Sequence, residues 1–154
     1  MAEVEPWSRK RKAKPGKNQR RFGYTVAVIV NAALFGAVNG WPGWQSVPIL
    51  TDETPQVLPI FNAALVVGVV SNVLNWVFDS EKLKTVGELV SSALGAAVIL
   101  RTWAVFPFDF GGSTVPWDLV TRVLLGFALA GCCISIIVQV VFLARLSRRV
   151  SPLN

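Results

Sequence analysis

Histidine is missing from this sequence altogether, and its single methionine is residue 1. The usual axial ligands of a membrane haem are therefore lacking, and histidine-based zinc sites go with them. Cysteine is scarce. Cys132 and Cys133 are adjacent inside an apolar run, which fits neither a CxxC redox pair nor a bridge between loops, so they read as small packing residues. Charge is also thin, at 16% of 154 residues against roughly 25% in soluble domains. No nucleophile elbow and no carboxylate pair within the apolar runs can be seen, so residues for acid–base work are not visible. The expectation is a protein without catalytic activity, cofactor or metal.

Apolar residues fill the space: 53% of the chain is hydrophobic, and they gather in long runs. A hydrocarbon core takes about 20 apolar residues per helix, and four runs meet that length, at about 22–41, 57–78, 86–106 and 117–143. Uninterrupted runs of this kind signal helices rather than the alternating pattern of a barrel. The predicted fold class is all-α, a four-helix transmembrane bundle occupying 22–145. Residues 1–21 form a basic arm expected to be disordered, and 146–154 a basic tail. The first run is too long for a signal h-region and lacks a clear A-x-A site, so it reads as a retained anchor. Thr54 before Pro55 has the pattern of a helix N-cap, and Thr85 with Glu88 that of a capping box at the start of the third span. Capping is thus the role expected of Glu88.

The net charge of +6 is placed unevenly. Of 15 Lys and Arg residues, eight lie between Arg9 and Arg21, three between Arg145 and Arg149, and Lys82 and Lys84 sit between the second and third runs. The stretches 42–56 and 107–116 hold none, only Asp52, Glu53 and Asp109. The positive-inside rule then puts both termini in the cytoplasm and two acidic loops outside, in a plasma-membrane protein. The arm is expected to meet anionic lipids, at about 1 kcal/mol per basic residue near the surface. Nucleic acid is not expected, since no aromatic stacking platform accompanies the arm.

Tryptophan marks the membrane boundaries. Trp41 and Trp44 in "NGWPGW", with Trp103 and Trp117, fall at the outer ends of the runs, and Trp76 at an inner end, as interface anchors. Within the runs, Gly36, Gly87, Gly95 and Gly126 belong to small-residue spacings that let helices approach. A candidate polar seam consists of Asn31, Ser71, Asn72, Asn75, Ser135 and Gln139, with Ser71, Asn72 and Asn75 on one helical face. Structural bonding between helices and an aqueous cavity are both open for it. Arg101 and Arg122 fall near the outer ends of spans three and four, where they can snorkel. Asp109 and Asp118 are their expected partners in an outer ion-pair cluster, pinning the second loop or forming an anion or headgroup site.

Through "NGWPGW", "VPIL", "VLPIFN" and "FPFDFGG", from Asn39 to about Gly112, the chain resembles uncharacterised small integral membrane proteins of actinobacterial type. That resemblance implies a four-span plasma-membrane protein and supplies no activity. The functional expectation is an accessory or scaffolding subunit, or a homo-oligomer, whose partners are the bilayer and another membrane protein or itself. The alternative is a small-solute transporter or channel formed by an oligomer.

Overall fold

The computed structural model describes residues 16–112 and 114–150, with side chains described up to Arg145. The expected arm is described only from Gly16 and the tail only to Val150; the remainder of both lies outside the described residues. Four long helices make up the fold: α1 (Lys17–Asn39), α2 (Leu58–Phe78), α3 (Glu81–Val105) and α4 (Trp117–Val150). Each is long and apolar enough to cross a membrane, over 23, 21, 25 and, for α4 as far as Arg145, 29 residues. Two short 3₁₀ turns, Trp44–Ser46 and Thr54–Gln56, lie in the first connection.

Several helix ends and caps differ from those expected, among them the end of α4, which runs on to Val150. The first helix begins at Lys17, so the last residues of the basic arm are helical rather than disordered. The third begins at Glu81, not near Val86: Ser80 is its extended N-cap and Glu81 places an acid in the first turn, where the helix dipole favours it. Thr85 and Glu88 therefore lie inside the helix, and the Thr85 hydroxyl donates back to the Glu81 carbonyl at 2.8 Å instead of closing a capping box. Thr54, likewise, does not cap α2. It begins a separate 3₁₀ turn, its hydroxyl donating to the Thr51 carbonyl, and α2 starts at Leu58.

The helices pack in chain order, α1 on α2, α2 on α3 and α3 on α4, with no extended packing between α1 and α4. Small residues set the crossings. A Cβ at Gly68 would lie 2.9 Å from the Asn31 side chain of α1, one at Gly87 3.2 Å from the Ser71 Cβ of α2, and one at Gly95 3.6 Å from the Cys132 sulfur of α4. Only the last is an ordinary van der Waals distance. Gly95→Ala is therefore expected to be tolerated, and to gain about 0.5–1 kcal/mol from helix propensity, read as a shift in the denaturation midpoint of the protein in detergent.

The two ends of the bundle are built differently. At one end, α2 and α3 are joined by Asp79 and Ser80 alone, with Asp79 left-handed at φ 42°. Lys82, Lys84 and Arg145 belong to this basic end. Here the Arg20 guanidinium of α1 bonds the Asp79 carboxylate at 3.1 Å, and Arg21 lies over the Trp76 ring, 5.2 Å from its centroid. Two residues assigned to a disordered arm thus dock α1 on α2. At the other end the two long loops are stitched together: Asp109 N–H donates to the Ile49 carbonyl at 2.9 Å and Thr51 N–H to the Pro107 carbonyl at 3.1 Å, around a Leu50–Phe108 bridge. Gly43, at φ 82°, occupies backbone space closed to other residues without strain, and its N–H donates to the Ala37 carbonyl at 2.8 Å. This turns the "WPGW" stretch back over the end of α1.

Candidate functional site: a polar cavity at the basic end

Five of the six seam residues meet in one place. Ser71, Asn72 and Asn75 from α2 and Ser135 and Gln139 from α4 line a cavity of about 450 Å³, together with Tyr24 of α1 and Lys84, Glu88, Ser91 and Ser92 of α3. All four helices contribute. The α3 residues run from Lys84 to Ser92, about 12 Å along the axis at roughly 1.5 Å per residue, so the cavity reaches from the basic end toward the middle of the bundle. A second space of about 300 Å³ adjoins it, sharing Lys84, Glu88 and Gln139. Asn31 stands apart: its amide donates to the Ala27 carbonyl at 2.7 Å, and its side chain lies against Gly68.

Hydrogen bonding inside the cavity is incomplete. The Ser92 and Ser135 hydroxyls are 3.0 Å apart, and the Gln139 amide donates to Ser135 Oγ at 2.9 Å. The Asn72 amide donates back to the Gly68 carbonyl at 2.7 Å. Asn75 and Gln139 are buried, 6% and 9% exposed, yet the Asn75 Oδ1 and Gln139 Oε1 have no hydrogen-bond partner. A buried acceptor without a partner costs about 1–3 kcal/mol, so these amides hold their places at the expense of stability. Lys84 and Glu88 pair at 3.7 Å, both side chains 48% exposed. The site offers hydroxyls, amides, one acid and one base, a set suited to holding polar groups by hydrogen bonds. Among the described residues no group of three or more Cys, Asp or Glu side chains could hold a metal ion.

Lys84, Glu88 and Ser91 lie outside the seam expected from the sequence, where Lys84 reads as a charge between spans, Glu88 as a helix cap and Ser91 as a small packing residue. The signal was there: 84, 87, 88, 91, 92 and 95 form one face of α3 at three- and four-residue spacing, hidden because Thr85 and Glu88 also match a capping box.

The outer cluster of charges does not assemble as expected. Arg101 donates from Nε to the Gln56 carbonyl at 3.2 Å and reaches the Gln56 side chain at 3.5 Å. Arg122 stacks on the Phe106 ring, 4.0 Å from its centroid. Asp109 accepts from the Gly111 N–H at 2.9 Å, shaping its own turn. Arg20 pairs with Asp79 and Lys84 with Glu88, and neither ion pair lies in this cluster. Gln56 closes the first loop beside the end of α3, and the Phe106–Phe108–Phe110 ring series presents an aromatic face to Arg122. Trp41 is 90% exposed beyond the end of α1, and Trp76, Trp103 and Trp117 are exposed on helix surfaces. Trp44 differs, being half-buried in the first loop.

No protein-family model matches this chain, and no curated protein or solved structure does.

Proposed function

We propose that this is a multi-pass plasma-membrane protein with both termini in the cytoplasm, acting without catalysis as an accessory or scaffolding subunit or as a homo-oligomer. The observation that carries the reading is the side of the bundle between α1 and α4. Both helices contribute to the wall of the polar cavity, yet there is no extended packing between them among the described residues. Lipid cannot satisfy amides and hydroxyls, so a helix from a partner or a second copy closes that side. The surface of α1 is suited to this. It buries none of its residues, and the small residues Ala32 and Gly36 are exposed, with nothing within 4 Å of a Cβ built at Gly36.

Co-purification in mild detergent tests the reading. The wild-type chain is expected to retain a defined partner or a second copy, and Gly36→Ile to lose it at least ten-fold without a change in the chain's own unfolding midpoint. A wild-type chain that is monomeric and partner-free at every concentration would count against association.

The cavity itself favours a second reading, a transporter or channel for a small polar solute formed by an oligomer. Solute flux in reconstituted vesicles, lost in Asn72→Leu, supports it. On either reading the basic arm meets anionic lipids. Its role there falls mainly on Arg9, Lys10, Arg11, Lys12, Lys14 and Lys17, since Arg20 and Arg21 are engaged by Asp79 and Trp76.

A further inference from the structure

Beneath the stitched loops lies a second cavity with the opposite chemistry. It measures about 380 Å³ and is lined by the last turn of α1, the start of α2 and the end of α3, with Trp44, Leu50 and Phe108 as roof and no charged residue anywhere in its wall. At about 30 Å³ per water it has room for a dozen waters. It offers them little to bond: the polar side-chain groups in the wall are the hydroxyls of Thr54, which donates to the Thr51 carbonyl, and Thr102, and the indole of Trp44. An apolar space of this size, if empty, forfeits the dispersion contacts of its walls.

Collapse is not an easy way out. The roof is held on the opposite loop by the Ile49–Asp109 and Thr51–Pro107 backbone bonds, on α1 by the Gly43–Ala37 bond, and beside α3 by the Arg101–Gln56 bond. Walls fixed on several sides imply that something fills the space. A helix, at about 10 Å across with its side chains, does not fit a space of this size between elements already in place. A single flexible hydrocarbon chain does, and the volume lies within the roughly 300–1,000 Å³ of ligand sites. Val47 belongs both to the cavity wall and to the outer surface, at 40% exposure, so the cavity communicates with the surroundings past this residue.

We propose that this cavity holds the acyl tail of a membrane lipid from the leaflet at the loop end. The proposal rests on the membrane reading above but not on any partner. It assigns the two loops a role: together they form a lipid-tail clamp.

The test uses the full chain reconstituted in phosphatidylcholine vesicles containing a few per cent of a phosphatidylcholine with a diazirine on its acyl chain. After irradiation, adducts are mapped by peptide mass spectrometry. Phe127, 73% exposed on α4, reports on bulk lipid contact. The expected result is labelling of Leu50 or Phe108 as well as Phe127. In Val38→Trp, which fills the cavity from α1, labelling at Leu50 and Phe108 should fall at least ten-fold while Phe127 is unchanged. Ala37→Phe serves as a second filling variant, and the wild-type pattern is decisive even where both variants misfold. Unlabelled Leu50 and Phe108 beside a labelled Phe127 would overturn the proposal and leave the membrane reading intact. So would equal labelling in the filled variants, or labelling only by a free diazirine fatty acid, which would mark a site for small free hydrophobes. An unlabelled Phe127 would overturn the membrane reading and the clamp with it.

Discussion

Leucine in place of Gly87 is expected to lower the stability of the protein in detergent by about 1–3 kcal/mol, the range for overfilled cores, and to open the polar cavity. A Cβ at this position already sits 3.2 Å from the Ser71 Cβ and 3.3 Å from its hydroxyl. The Ser71 Cβ is fixed to the α2 backbone and cannot swing aside, so the two helices must separate. The connection between them is only Asp79 and Ser80, so displacement cannot be absorbed there and passes to the cavity wall that Ser71 and Gly87 share. Denaturant titration of the purified protein measures the effect. Gly87→Ala should fall between wild type and leucine, whereas Gly95→Ala, facing the Cys132 sulfur at 3.6 Å, should not lose stability at all. Equal effects at positions 87 and 95 would show that helix propensity, and not close approach, governs both.

Asn75→Leu should act in the opposite sense on stability. The side chain is 6% exposed and its Oδ1 has no hydrogen-bond partner. Removing an unsatisfied buried acceptor in favour of an apolar group of similar size relieves a cost of about 1–3 kcal/mol, and the unfolding midpoint should rise accordingly. Function should fall at the same time, because the amide is part of the cavity. On the transport reading flux disappears, and on the association reading retention of the partner weakens. Natural sites commonly trade stability for activity in this way. A variant that is both less stable and fully active would mean that Asn75 is a packing residue whose oxygen is satisfied by other means.

The spans could be read from the sequence because apolar runs of about 20 residues have few other uses. Their helical ends could not. Hydropathy marks the length that suits lipid, while the helix itself continues wherever backbone bonding and propensity allow. That is why α1 reaches back to Lys17, α3 to Glu81 and α4 forward to Val150. The polar seam was legible on α2, where Ser71, Asn72 and Asn75 recur at helical spacing, and only half legible across helices. Asn31 has the same chemistry as the other seam residues but turns to its own helix and to Gly68, a choice set by the α1–α2 crossing.

Pairing of Arg101 and Arg122 with Asp109 and Asp118 was a matter of opposite sign and neighbourhood in the chain. The structure instead gives Arg101 to Gln56 and Arg122 to Phe106. The meeting of Ile49 with Asp109 joins loops separated by two helices, and no local pattern announces such a contact. Asn39 and Asn62 illustrate the same point from α1 and α2: their amides exchange two hydrogen bonds, at 2.8 and 2.7 Å, although nothing in either run names the other.

The packing of each helix on its predecessor has a bearing on how the protein is made. Every major interface, α1 with α2, α2 with α3 and α3 with α4, joins segments that follow one another during synthesis. An emerging helix can therefore find its neighbour already in place, and no early segment has to wait for the last one. Contacts this local favour fast assembly, and they leave the newest and oldest helices as the pair without an extended interface between them.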